Sequence, residues 1–241
     1  MNGDDKKTRK IDTVVFDLDG TLLDTLDDLT AAVNHALGAF GFSPFDRARV
    51  RRYVGNGVPK LIDRALYFAQ TSVEPDLENG KFDDRALANA CLAVFTEYYD
   101  KHNADITKPY DGIAEMLNAV AACGLKSAIV TNKYDGAAQA LKHRFFGSVD
   151  VVVGARDGIR PKPAPDGVYA ALAELGADKA RAVYVGDGET DIATAKNCGM
   201  PVVAVAWGFR DRSTLAALSP DFIIGAPSEL IATLRGAGFI R

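Results

Sequence analysis

Two aspartates one residue apart, Asp17 and Asp19, end the apolar run of "TVVFDLDGT". Carboxylates this close repel and raise each other's pKa, so a chain that keeps both at the end of a buried segment has a use for negative charge there. If the backbone stays extended, the two point to the same side, as a metal or acid/base pair requires. The device recurs in "AVYVGDGETD", where another apolar run delivers Asp187 and a helix start places Asp191 just beyond. In between, "SAIVTNK" ends in Thr131 and Asn132, and "RPKPAPD" supplies Lys162.

Carboxylate oxygens with no histidine or cysteine beside them suit magnesium, which takes a few carboxylates and keeps room for water and a substrate phosphate. Lys162 and Thr131 would face phosphoryl oxygens and offset the repulsion from the acids. Asp17 is then the candidate nucleophile, forming an aspartyl phosphate and dividing one difficult hydrolysis into two easier steps. Asp19 is the candidate acid that protonates the leaving alkoxide, then the base that activates water.

Each of these groups must sit at the carboxyl end of a strand. The predicted strands are "TVVFD", "KSAIVT", "VDVVVG", "RAVYVG", "PVVAVA" and "DFIIG". Several are apolar on both faces, as in a parallel sheet covered by helices on each side. "DGIAEMLNAVAACG", "PDGVYAALAELG" and "TDIATAKNCG" alternate with them as helices, each closed by a glycine suited to a C-cap. Residues 25–105 carry little strand signal. Leu26, Leu29, Val33, Ala36, Leu37 and Phe40 follow helical spacing, as do Leu87, Ala90, Cys91, Val94, Phe95 and Tyr98. The expected fold is α/β: a doubly wound, mostly parallel sheet formed by residues 1–24 and 106–241, with an all-helical cap, residues 25–105, inserted after the first strand. The ligand-binding ends of parallel strands are where such a lid belongs.

Composition narrows the partners. The 241 residues are 48% hydrophobic with a net charge of -4, which supports a globular core and gives no basic excess for nucleic acid or an anionic membrane. The basic clusters "DKKTRK" and "RARVRR" are short. Cys91, Cys123 and Cys198 are odd in number and unpaired in spacing, which points to a reducing cytoplasm rather than a disulfide framework. The leader "MNGDDKKTRK" is polar, and no apolar run approaches spanning length.

"DLDGT", "VTN", "PKPAP" and "GDGETD", in that order, resemble the four motifs of the haloacid dehalogenase superfamily of aspartate-nucleophile phosphatases. The resemblance covers nearly the whole chain and implies a Rossmann-like core with a helical cap. It implies Asp17 as nucleophile and magnesium ligand, Asp19 as acid/base and metal ligand through its carbonyl, Thr131 and Lys162 as phosphoryl contacts, Asp187 as magnesium ligand, and Asp191 as its support. Gly188 stands where many relatives have serine. "YVGNGVPKLIDRAL" and "FTEYYDKHNADITKPYDGI" look like the phosphoglycolate phosphatase branch, although "GARDGIRPKP" departs from it. The implied reaction is magnesium-dependent hydrolysis of a small phosphorylated metabolite, 2-phosphoglycolate foremost, by a monomer or homodimer. A phosphosugar mutase of the β-phosphoglucomutase type, a pyrophosphatase-like relative and a receiver-like phosphoprotein switch are the alternatives. Thr21 in "DGT" favours a phosphatase over the mutase, and the helical insert disfavours a receiver.

Gly55, Asn56 and Gly57 stand just before a helix, where backbone N–H groups can bind an anion; together with Asn132 they are the candidate substrate contacts. Asp24 and Thr25 are read as helix caps, His35, His102 and His143 as surface or cap residues, Tyr98 and Tyr99 as cap packing, Trp207 as core or rim packing, and Lys133 as solvent-facing, with a reach to the phosphate region as its alternative.

Overall fold

The computed structural model describes residues 10–77 and 80–241; all but the last residue of the polar leader, and with it of the first basic cluster, lies outside them. The strands are β1 (Thr13–Phe16), β2 (Leu23–Asp24), β3 (Lys108–Pro109), β4 (Lys126–Tyr134), β5 (Val151–Ala155), β6 (Ala182–Gly186), β7 (Val202–Val205) and β8 (Phe222–Ile224). The helices are α1 (Leu26–Ala39), α2 (Arg47–Tyr53), α3 (Val58–Thr71), α4 (Arg85–His102), α5 (Ile113–Ala122), α6 (Asp135–Phe145), α7 (Asp166–Leu175), α8 (Glu189–Cys198), α9 (Arg212–Ala217) and α10 (Glu229–Gly236). Two compact units result, one of Met1–Leu22 with Pro109–Arg241 and one of Leu23–Lys108.

In the first unit, six parallel strands run in the order β5-β4-β1-β6-β7-β8. Every residue of β1 is fully buried, which explains why "TVVF" shows no polar alternation: both of its faces are covered. From β1 the chain adds β4 and β5 on one side, then β6, β7 and β8 on the other. The winding therefore reverses between β1 and β6, and a sheet of this kind binds ligands at the carboxyl end of that reversal. Phe16 is level with Ile129 and Val185, so the residues that follow these strands leave the sheet along one edge. Val15, Val130, Val153 and Tyr184 pack with Val168 and Leu172 of α7 and Ile192 of α8 in a continuous core. Gly176 and Gly199 take left-handed conformations that end α7 and α8, as their spacing predicted.

The β4–β5 ladder is not uniform. Val130 pairs with Val153, but the next pairing is Tyr134 with Ala155, so three residues of β4 span a single residue, Gly154, of β5. A Cβ at Gly154 would lie 2.8 Å from the carbonyl oxygen of Lys133 and 2.5 Å from the Cα of Asp135. Glycine there admits the bulged strand, and such irregularities re-aim side chains near sites.

The second unit is helical apart from the short β2–β3 pairing. Asp28, buried in the first turn of α1, accepts backbone N–H bonds from Ile106 at 3.1 Å and Thr107 at 2.8 Å. The helix that opens the insert is thereby tied to the chain that closes it. On α4 the buried stripe is Ala88, Cys91, Phe95 and Tyr99; the spacing argument named Cys91 and Phe95 correctly, but also Leu87, Ala90, Val94 and Tyr98, which lie off it. Tyr98 instead stacks between the His35 and His102 rings, 4.3 Å from each, and Ala90 is exposed. The cap assignment also changes: Asp24 Oδ1 accepts from the Leu26 N–H at 3.4 Å, while Thr25 makes no side-chain cap bond. Among the described residues, no helix is long and apolar enough to cross a membrane.

Candidate active site

Asp17 directly follows β1, and its N–H still bonds the Val185 carbonyl at 2.9 Å, so the central sheet fixes its backbone. The chain bends at Leu18 and does not continue extended, so the two aspartates meet different lysines. Lys162 Nζ donates to Asp17 Oδ1 at 2.6 Å and to Asp191 Oδ1 at 2.7 Å. Lys133 Nζ donates to Asp19 Oδ1 at 2.9 Å.

Asp187, delivered by β6, sits among close backbone. Its Oδ1 accepts from Thr21 Oγ1 at 3.3 Å and its Oδ2 from the Phe209 N–H at 2.7 Å. A Cβ at Gly20, where φ is +90°, would lie 2.4 Å from Asp187 Oδ2, and one at Gly208 would lie 2.6 Å from the same atom. Only glycine lets both segments close on this carboxylate. Asp191, in the first turn of α8, has both oxygens engaged. Oδ1 takes Lys162, and Oδ2 accepts from the N–H groups of Asp187 and Gly188, each at 3.1 Å. Gly188 thus contributes to the site through its backbone N–H.

Three carboxylates, those of Asp17, Asp187 and Asp191, bring oxygens within 4.8 Å of one another, all buried. Burial and Asp191 raise Asp17 well above the usual carboxylate range, against the opposing pull of Lys162. Burial and Asp191 likewise raise Asp187 to about 7. Burial alone would lower the Lys162 ammonium, but Asp17 and Asp191 outweigh it, and the net shift is well upward. This cluster carries more negative charge than Lys162 offsets, and every donor in it is a hard oxygen, so its chemistry fits a small divalent cation.

Thr131 is buried, and its Oγ1 accepts from the Lys133 N–H at 3.2 Å. Asn132, expected to contact substrate, uses its amide otherwise: Oδ1 accepts from the Lys162 N–H at 2.8 Å and Nδ2 donates to the Lys162 carbonyl at 3.1 Å. It clamps the main chain that carries the lysine. Gly55, Asn56 and Gly57 belong to the second unit. Gly57, with φ +83°, precedes the first turn of α3, and Asn56 Oδ1 accepts from the buried Arg64 at 2.7 Å.

Two members of the site escaped the sequence reading. Lys133, read as solvent-facing, has a side chain only 5% exposed; it lies in the irregular stretch of β4, where the regular strand period gave no signal for it. Tyr184, within an apolar strand, has its hydroxyl 3.2 Å from Lys162 Nζ and 3.3 Å from both Asp191 Oδ1 and the Val130 carbonyl. A buried phenol needs such partners. Trp207 holds the edge of the site by donating from Nε1 to the Thr21 carbonyl at 3.0 Å.

A parallel α/β unit with acids at the carboxyl ends of β1 and β6 and a lysine between them defines a phosphoryl-handling hydrolase, and the chain belongs to the haloacid dehalogenase-like hydrolases, whose family model matches residues 14–205. It is a phosphoglycolate phosphatase-like phosphoric monoester hydrolase. A phosphoglycolate phosphatase from Mesorhizobium japonicum is 36% identical over 83% of this chain and 84% of its own. An N-acetylmuramic acid 6-phosphate phosphatase from Pseudomonas aeruginosa is 32% identical over 96% and 98%. Among solved structures, a candidate phosphoglycolate phosphatase from Lactobacillus delbrueckii subsp. bulgaricus superposes with a TM-score of 0.87 at 34% identity, covering 93% of this chain and 98% of that one.

Proposed function

We propose that the protein hydrolyses a small carboxylate-bearing phosphate monoester, 2-phosphoglycolate foremost, through an aspartyl phosphate on Asp17. The carrying observation is the buried 2.6 Å bond between Lys162 Nζ and Asp17 Oδ1 at the end of the central strand. It gives the nucleophile a fixed place and sets beside it the positive charge that an incoming phosphoryl group needs. Both relatives are named for the phosphate ester of an acid, which supports a substrate with a carboxylate as well as a phosphate.

An Asp17 oxygen bonds to phosphorus as the ester O–P bond breaks, and Asp19 gives its proton to the departing alkoxide. Asp19 then takes a proton from water, the water oxygen attacks phosphorus, and the Asp17–phosphorus bond breaks to release inorganic phosphate. Thr131 and Lys162 hold the phosphoryl oxygens. Asp17, Asp187 and the Asp19 carbonyl would hold Mg2+, with Asp191 as a positioning residue, because its oxygens are already engaged by Lys162, Tyr184 and two backbone N–H groups. The bound ion would neutralise charge on the phosphoryl oxygens and the carboxylates around them. Residues Leu23–Lys108 serve as the helical cap, with Gly55, Asn56 and Gly57 as its substrate contacts.

The test is a phosphate-release screen over small phosphate esters, with and without magnesium, run beside Asp17→Asn. Turnover should require the metal and disappear in the folded Asn variant. Undiminished release by that variant would eliminate the aspartyl-phosphate route.

A further inference from the structure

Lys133 has no part in the reaction sequence above, yet the fold takes trouble to bury it there. The bulge between Val130 and Tyr134 and the absence of a side chain at Gly154 let β4 arch, and the arch carries the Lys133 ammonium to within 2.9 Å of Asp19 Oδ1. The side chains are 5% and 19% exposed, respectively, so the pair is enclosed on the lysine side and open on the aspartate side. A pair of this kind adds little to stability once desolvation is counted.

The site thus has two ammonium groups in two positions. Lys162 bonds the nucleophile and faces the phosphoryl group. Lys133 bonds the residue that must reach the ester oxygen, so it stands on the leaving-group side. In 2-phosphoglycolate a single methylene separates the ester oxygen from the carboxylate. Whatever conformation brings the ester oxygen to Asp19 therefore brings the carboxylate into the neighbourhood of Lys133 Nζ.

We propose that Lys133 is the specificity-determining residue for a carboxylate one carbon from the phosphate ester: its ammonium exchanges the Asp19 carboxylate for that of the substrate. The exchange makes and breaks no covalent bond. It provides a counter-charge for the third negative charge of the substrate and leaves Asp19 unheld by the lysine when it meets the ester oxygen. The inference rests on the phosphoglycolate reading and adds to it a reader within the catalytic unit itself.

The experiment compares kcat/KM for 2-phosphoglycolate and ethyl phosphate, which lacks only the carboxylate function, in the wild type, Lys133→Gln and Lys133→Arg, each confirmed folded by thermal melt. Loss of a charge-assisted bond should lower the preference for 2-phosphoglycolate over ethyl phosphate, read as the ratio of their kcat/KM values, about tenfold to hundredfold in Lys133→Gln. Lys133→Arg, which keeps the charge, should retain the preference, and this arm decides the matter if the Gln variant does not fold. Equal loss on both substrates would reduce Lys133 to a support for Asp19 and overturn the inference, as would loss of the preference in a folded Arg variant. A wild type that prefers 2-phosphoglycolate and a Gln variant that keeps the full preference would remove Lys133 alone. A wild type indifferent to the carboxylate would remove the substrate reading as well.

Discussion

Lys162→Met is the most searching perturbation of the site, because it removes a cation and nearly preserves the shape of the side chain. Its ammonium lies 2.6 Å from Asp17 Oδ1 and 2.7 Å from Asp191 Oδ1, with side chains 5%, 10% and 4% exposed, respectively. Removing one partner from a buried ion pair costs about 3–5 kcal/mol, since the remaining charge is left without compensation. For a chain of this size each kcal/mol moves Tm by about 2–4 °C, so a fall of about 6–20 °C is expected in chelator. The measurement belongs at pH 8, because at lower pH the bereft carboxylates take up a proton and the penalty shrinks. Magnesium should then raise the Tm of the variant more than that of the wild type, because the more negative cluster binds a cation more tightly and binding to the folded state adds stability. Activity should be lost, but many changes would do that; the pair of melting curves is the diagnostic. If Lys162→Met melts with the wild type in chelator and gains no more than the wild type from magnesium, Lys162 is not the counter-ion of this cluster.

Asp187 supplies a pH test. Its carboxyl is raised from an ordinary 3.8 to about 7 in the folded chain, so between those values the folded state binds more protons than the unfolded one, and the protonated group's advantage, complete below 3.8, is lost as pH rises to 7. In chelator, the stability of the wild type relative to Asp187→Asn should therefore decline across that interval and level off above it; a difference that does not vary with pH would contradict the assignment. In the helical unit, Asp28→Ala leaves the Ile106 and Thr107 N–H groups without their carboxylate, which should cost about 1–3 kcal/mol in a urea titration. A midpoint unchanged from the wild type would show that water replaces the carboxylate without loss.

The sequence was most informative where one residue type at a strand end has few structural uses. Asp17, Asp187 and Lys162 were legible because apolar strands deliver the first two, and their register in the sheet brings them to one edge. The lysine is not on a strand, and only the order of the motifs placed it. Where local geometry departs from the regular period, the reading failed. The bend at Leu18 separates the partners of Asp17 and Asp19, and the bulge in β4 turns Lys133 inward although a lysine after "VTN" reads as surface. Asn132 shows another limit, since an amide near a phosphate site looks the same in sequence whether it meets the substrate or the backbone of Lys162. Tyr184 was concealed by its neighbours, because a phenol in a run of valines looks apolar until its hydroxyl partner is seen. On α4 the helix itself was predictable but its rotation was not, for the aromatic stack of His35, Tyr98 and His102 draws on residues far apart in the chain.

The junction where the chain leaves and rejoins the catalytic unit has a consequence for how such proteins diversify. The Tyr110 N–H donates to the Leu22 carbonyl at 3.2 Å, so the two cut ends of the core already touch, and the Asp28 bonds close the insert on its own side. To the sheet, the helical segment is a single stitch rather than a span of many residues. Lengthening or replacing what is threaded between those ends changes the closure entropy only slowly with length and leaves the strand register as it is. A fold with this joint can exchange its helical insert while the two aspartates at the strand ends, and the lysine bonded to one of them, remain where they are.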